Sequence, residues 1–383
     1  MNISKSRCVK LAFISMHPAP YRDALIGKLI RSFRGDVDVF NLYGSDAGHR
    51  FWSLADPEYA TTCIVADTER VSQLRLAFRL IRKFVFSGRY DCVVWPGYVH
   101  WSVRVAILMS TLLRRKYILS IDSVEQPHIA KIAFVIKKWM IKHAAILFVP
   151  GKASKTFLMK TFDVEEARIV CGAYALDGGV LEKKILELRT NGARTDVREK
   201  LGARQDTKMF LMVANMIPTR MYPITSAGFV EFAAMHKDCV FVMVGKGPEY
   251  EQMRSYASKN QCLRVIEGCS FDDMLKLYAA ADVYVHGGKE PASTALVIGA
   301  IAHLPLISSD AVGCSADLLI DGETGFKVDN YTTTANWREI FARSIHNEFD
   351  WGKMGGRART ASKKLDANVV ADKLSSCIVS LLK

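Results

Sequence analysis

The stretch VHGGKEPASTALVIGAIA, residues 285–302, gathers groups able to hold an anionic, hydroxyl-rich ligand. Ser293 and Thr294 stand just before an apolar run, the composition of a helix start capped by a hydroxyl. The first turn of such a helix, through Ala295 and Leu296, presents backbone N–H groups and a positive dipole end, which suits a diphosphate. Glu290 lies on the approach to that turn, where a carboxylate accepts hydrogen bonds from sugar hydroxyls; the alternative is an ordinary surface-loop carboxylate. Upstream, GKGPEY at 245–250 follows the apolar run VFVMV. Its Gly245 and Gly247 suit either a phosphate-facing loop or simple turn chemistry, and Tyr250 in place of a third glycine excludes a dinucleotide fingerprint.

Polar groups in the first half sit at the ends of apolar runs: His17 and Arg22 after the first, His100 in GYVHW, Asp122 after YILSI. Ligands collect at strand ends in open parallel sheets, so these are candidate binding or catalytic groups. A structural histidine, a helix-capping Asp122 or a salt-bridged Arg22 is the alternative at each.

Such residues need a scaffold, and short apolar runs alternate with helical patterns along the whole chain, the mark of parallel sheets flanked by helices. Strands are expected at 10–15, 37–43, 92–95, 117–121 and 145–149, then at 209–214, 240–244, 263–267, 283–286, 306–308 and 325–328. The expected fold class is α/β, with two Rossmann-like domains facing each other across a cleft. The 383 residues exceed one ordinary core. A first domain is expected at 1–178 and a second at 179–365, with a C-terminal helix at 366–383 packing back on the first and a hinge near Asp177–Gly179.

Net charge is +13 and uneven: residues 1–180 hold 26 Lys/Arg against 15 Asp/Glu, the remainder 26 against 24. An anionic partner for the first domain follows. Two basic stretches there are amphipathic, RVSQLRLAFRLIRKFVF at 70–86 and IAKIAFVIKKWMIKHAA at 129–145. In the first, Val71, Leu74, Phe78, Ile81 and Val85 share a helical face; the second carries Lys131, Lys137, Lys138, Lys142 and Trp139. Both suit an anionic membrane surface, with sheet-covering helices as the plain alternative. No nucleic-acid-binding signature accompanies them. No apolar run reaches the roughly 18 residues needed to span a bilayer, and Leu11–Met16 is too short for a signal core. Nine scattered cysteines without a Cys-x-x-Cys pair suggest neither disulfides nor zinc and fit a reducing cytoplasm.

From Glu290 to Gly325 the order Glu-Pro, helix, small-residue-x-Pro, strand, Ser-x-Ala-x-Gly, Asp-Gly-x-x-Gly resembles the donor lobe of family 4 glycosyltransferases, retaining enzymes of GT-B fold. VANMIPTRM at 213–221 resembles their phosphate loop, GKGPEY their Gly-x-Gly-Pro turn, and EGCSFDDMLKLYAAADVYV at 267–285 their base-contact segment. PAPYRDALIGKL at 18–29, PGYVHW at 96–101 and SIDS at 120–123 resemble acceptor-lobe loops of bacterial polysaccharide-assembly members.

The resemblance implies transfer of a hexose-type sugar from a UDP- or GDP-linked donor to a lipid-linked or polysaccharide acceptor, with no cofactor and no dedicated metal. It gives the donor to Arg220, Asn215, Gly245, Gly247, Ser293, Thr294, Ala295 and Leu296, and the acceptor to His17, Tyr21 and Arg22. Glu290, Asp122 and His100 are the catalytic candidates. A peripheral place on the inner face of the cell membrane is expected. The sequence departs from the family at Ile298, where a second glutamate usually stands, at Asn215 for the usual arginine and at His303 for a glycine. A catalytically silent subunit and a sugar-nucleotide epimerase are the competing readings.

Overall fold

The computed structural model describes residues 8–44, 58–66, 71–98, 100–124, 131–346 and 348–382. The chain forms two compact units that divide between Leu176 and Asp177, and it returns to the first unit at Leu365.

In the first unit β1 (Val9–Ser15), α1 (Pro20–Ser32), β2 (Gly35–Tyr43), β3 (Thr61–Val65), α2 (Gln73–Leu80), β4 (Cys92–Trp95), α3 (Trp101–Leu112), β5 (Tyr117–Ser120), α4 (Lys131–His143), β6 (Ile146–Val149), α5 (Lys152–Phe162) and β7 (Ile169–Cys171) follow in order. The parallel sheet runs β3-β2-β1-β4-β5-β6-β7, so the order reverses between β1 and β4. Successive strand residues feed opposite layers, as the two-residue pleat requires. Ala12, Ile14, Val93 and Trp95 pack with Leu76, Ala106 and Met140 from α2, α3 and α4. Leu11, Phe13, Cys92 and Val94 pack on the other side with Leu25 and Leu29 of α1. There α15 (Ala367–Leu382) closes the layer with Val370, Leu374 and Ile378.

The second unit holds α6 (Gly178–Thr190), α7 (Ala193–Lys200), β8 (Lys208–Val213), α8 (Tyr222–Met235), β9 (Cys239–Val244), α9 (Tyr250–Ser258), β10 (Leu263–Ile266), α10 (Phe271–Ala280), β11 (Val283–His286), α11 (Thr294–Ile301), β12 (Leu306–Ser309), α12 (Ser315–Leu318), β13 (Gly325–Val328), α13 (Thr334–Ser344) and α14 (Trp351–Ser362). Its sheet, also parallel, runs β10-β9-β8-β11-β12-β13 and reverses between β8 and β11. Phe210, Phe229, Phe241 and Phe341 interlock edge-on or tilted at 5.0–6.0 Å in its core.

All eleven strands expected from sequence are present, with ends shifted by two residues at most. The two that escaped, β3 and β7, are the outer strands of the first sheet. The 70–86 stretch differs from its expected geometry. After α2 the chain widens into a π-helical turn at Ile81–Phe86, which shifts the register of the faces. Leu76, Ala77, Leu80 and Phe84 point inward, while Leu74 and Phe78 are 70% and 67% exposed. In α4, Lys137 is buried rather than solvated. Its ammonium lies 4.8 Å from the Tyr98 ring centroid, and burial lowers its pKa.

Candidate functional site

In an open parallel sheet the loops leaving the two strands at the order reversal splay apart and leave a crevice. Each unit places its candidate groups there.

In the second unit, the segment after β8 folds into a 3-10 turn at Pro218–Arg220, and the loop after β11 carries Gly287 to Glu290. The two segments touch at backbone level. Gly288 has φ +72°, and a β-carbon there would stand 2.0 Å from the Thr219 carbonyl, so only glycine fits. The Lys289 amide donates to that carbonyl at 2.8 Å. Arg220 Nη1 donates to the Lys289 carbonyl at 2.6 Å, and Nη2 lies 2.5 Å from Glu290 Oε2.

The backbone of Glu290 is itself held on both sides: its amide donates to the Ala311 carbonyl, and its carbonyl accepts from the Gly313 amide at 2.8 Å. The second carboxylate oxygen lies 2.6 Å from Nε2 of His286, which ends β11 with no exposed surface. On the far side of the ring, Nδ1 lies 3.4 Å from the Tyr284 hydroxyl and 3.5 Å from Ser293 Oγ. Burial alone would raise the Glu290 carboxyl, but the charges of His286 and Arg220 outweigh it and hold the group below the ordinary carboxylate range.

Ser293 caps α11, accepting from the Leu296 amide at 3.2 Å. In the structure that amide serves the cap. Thr294 and Ala295 are half-buried in the same turn, with the Ala295 carbonyl accepting from Tyr278. Ile298 is buried at 4% exposure. Asn215 is half-buried two residues after β8 ends. Gly245 and Gly247 lie against this same segment: β-carbons there would meet the Ala214 and Met216 carbonyls at 2.0 and 2.3 Å. The Met216 amide donates to the Lys246 carbonyl and the Glu249 amide to Met216. The structure thus gives these glycines a packing role under the loop that carries Arg220.

In the first unit the loops after β1, β4 and β5 enclose a cavity of about 380 Å³ at the order reversal. His17, Arg22, His100 and Asp122, chosen separately from sequence, all line it. His17 stacks on Tyr43 at 5.4 Å, and His100 approaches the same ring at 5.9 Å. Asp122 accepts from the Tyr174 hydroxyl at 3.2 Å, and Arg22 donates to the His17 carbonyl at 3.5 Å. Burial, with Arg104 nearby, pushes the His100 pKa down, so the ring is neutral at pH 7. Ser15 Oγ is buried at the cavity wall without a hydrogen-bond partner among the described residues. The Tyr21 side chain lies outside the described residues.

His286, Ser15, Tyr98 and Tyr174 were missed by sequence reasoning. Only His286 left a trace there, as a histidine ending a buried strand four positions before Glu290. Among the described residues, no three His, Cys, Asp or Glu side chains converge as a metal cluster would.

Solved structures with this architecture include HepE of Anabaena bound to UDP, at 13% identity and TM-score 0.72, spanning 97% of this chain and 100% of that one. A glycosyltransferase from Rickettsia africae aligns at 13% identity and TM-score 0.75, over 98% and 99% of the two chains. Sucrose-phosphate synthase from Thermosynechococcus elongatus aligns at 14% and 0.69, over 97% and 99%. The chain has the two-Rossmann GT-B fold. Residues 193–363 match the family model of glycosyl transferases group 1, so Arg220, His286 and Glu290 fall inside the matched segment. A search of curated proteins gives no match.

Proposed function

We propose that the chain is a retaining, family 4-type glycosyltransferase that moves a hexose-type sugar from a nucleotide-sugar to a lipid-linked or polysaccharide acceptor, working peripherally on the inner face of the cell membrane in polysaccharide assembly. The observation that carries the reading is the meeting of Arg220 and Glu290, 2.5 Å apart, at the strand-order reversal of the unit that matches the family model.

Breaking the sugar–phosphate bond builds negative charge on the departing nucleoside diphosphate, and a preplaced guanidinium stabilises it. Arg220 supplies that charge, and its planar fork can grip a diphosphate through two hydrogen bonds. In the structure the same guanidinium is paired with Glu290. Donor binding draws it towards the phosphates, and the carboxylate, still held by His286, turns its freed oxygen to the sugar hydroxyls. HepE was solved with UDP-glucose as well as UDP, which makes UDP-glucose the first donor to try. The acceptor hydroxyl is assigned to the cavity lined by His17, Arg22, His100 and Asp122.

Thermal-shift screening against UDP-, GDP- and ADP-sugars identifies the donor, since binding at a hundredfold over Kd adds about 2.7 kcal/mol to the stability of the native state. Arg220→Ala is expected to weaken that donor by about 2 to 3 kcal/mol, roughly a hundredfold. Transfer by the purified protein, lost in Glu290→Ala and retaining the anomeric configuration by NMR, establishes the activity. A second reading, a silent subunit that binds but does not turn over, is favoured by Ile298 and Asn215 standing where the family resemblance places a glutamate and an arginine. Binding without any turnover selects it.

A further inference from the structure

Two buried polar side chains beside the first unit's cavity lack the partners that burial normally demands. Ser15 ends β1 at 2% exposure and lines the cavity, and its Oγ has no hydrogen-bond partner among the described residues. Lys137 of α4 is 6% exposed. Its ammonium stands 4.8 Å from the centroid of the Tyr98 ring and 5.4 Å from that of Phe162, and among the described residues no carboxylate pairs with it. A buried cation without a counter-charge is costly to keep, and groups so placed cluster at functional sites. The Tyr98 ring is itself part of the cavity wall, with its hydroxyl 2.9 Å from Ser123 Oγ.

The loop after β1, the strand beside β4, adds positive charge of its own. The helix α1 runs for 13 residues from Pro20, and its N-cap, Ala19, offers no side-chain acceptor to the first turn. Arg22 of that turn lines the cavity, whereas Asp23, the acid of the same turn, stands outside the wall and is held by the Tyr59 hydroxyl at 2.7 Å. Of the Lys, Arg, Asp and Glu side chains among the described residues, only Arg22 and Asp122 line the cavity. With Lys137 behind Tyr98, cations outnumber carboxylates two to one.

We propose that the acceptor carries a phosphoryl group, bound in this cavity by Arg22, Ser15 and the first turn of α1, and that Lys137, acting through Tyr98, selects for it. This rests on the placement of the acceptor given above and narrows it to a sugar phosphate or phosphodiester. The guanidinium fork takes two phosphoryl oxygens, and the Ser15 hydroxyl donates to the third. A carboxylate has one oxygen fewer than that set of donors serves. Lys137 need not touch the group, because the field of a buried charge is weakly screened. Asp122 is then left to the sugar hydroxyls.

Calorimetry on the full chain compares glucose, glucuronate and glucose 6-phosphate, each with and without saturating UDP. Glucose 6-phosphate is expected to bind at least about tenfold tighter than glucose, and tighter than glucuronate, whether or not UDP is present. Arg22→Gln should weaken it roughly tenfold or more. Lys137→Met, which keeps an unbranched stem, should weaken it about fivefold and leave glucose unchanged. Ser15→Ala removes a hydroxyl that the fold does not pair, so it should weaken glucose 6-phosphate about threefold at unchanged thermal stability. Equal affinities for glucose and glucose 6-phosphate overturn the proposal, as does glucuronate binding as tightly as the phosphate. So do affinities untouched by Lys137→Met and Ser15→Ala, or bound glucose 6-phosphate that UDP displaces. A chain that gives no heat with UDP yet binds glucose 6-phosphate through Lys137 upholds this proposal and overturns the donor reading.

Discussion

Glu290 keeps only 12% of its side-chain exposure, yet His286 and Arg220 beside it hold its carboxyl below the ordinary carboxylate range. A carboxyl whose folded pKa is depressed stabilises the protein above its unfolded pKa, and the contribution drains away as pH falls through the folded value. Glu290→Gln should therefore cost on the order of 3 kcal/mol near pH 7, because the largely buried Arg220 loses its counter-charge. Denaturant titrations of parent and variant should converge as the pH drops below the carboxylate range, and a gap that stays constant with pH would show that the charge is irrelevant. Glu290 was legible in the sequence through its place before a capped apolar run. Arg220 was legible through the resemblance of its loop. His286 was not, because its approach to Glu290 depends on the carbonyl and amide of Ala311 and Gly313 fixing the glutamate from a distant loop.

The helices and strands that carry these residues announced themselves unevenly. Strands buried on both faces read as continuous apolar runs, which is why β8, β9 and β11 were plain. The edge strand β3 shows mostly exposed residues and β7 has only three, too little pattern to detect. The face of α2 misled for a different reason: counting at 3.6 residues per turn through Ile81–Phe86 fails where the helix widens to a π turn, so Val85 is buried while Leu74 and Phe78 are not. At α11 the hydroxyl cap was expected, and its cost can be measured. Ser293→Ala should destabilise the second unit by about 1 kcal/mol through the loss of its bond from the Leu296 amide. Thermal unfolding checks this; no loss would mean that the Cys314 thiol beside Ser293, or water, takes over the cap.

For the molecule as a whole, the alternation of apolar runs and helical segments sufficed to read two parallel-sheet units. The same sheets explain why His17, Arg22, His100 and Asp122, scattered over a hundred positions, converge: each follows a neighbouring strand of one sheet. Each unit has a separate core, so damage to one should register there first. Leu374 of α15 has no exposed surface and packs in the first unit's core. Leu374→Ala should cost about 3 kcal/mol, and hydrogen exchange should show the added opening in β1, β4 and α1 while β8 to β13 keep their protection. Equal loss across both sets of strands would contradict separate cores.

The placement of α15 has a consequence for birth of the protein on the ribosome. The sheet of the first unit is fully synthesised at Cys171, but the helix that covers it beside α1 is finished only at Leu382. At ordinary elongation rates those roughly 200 residues take about 10 to 40 s. Throughout that interval the nascent chain presents Leu11, Phe13 and Val94 on a half-covered surface, a standing invitation to chaperones that closes only once α15 has been made.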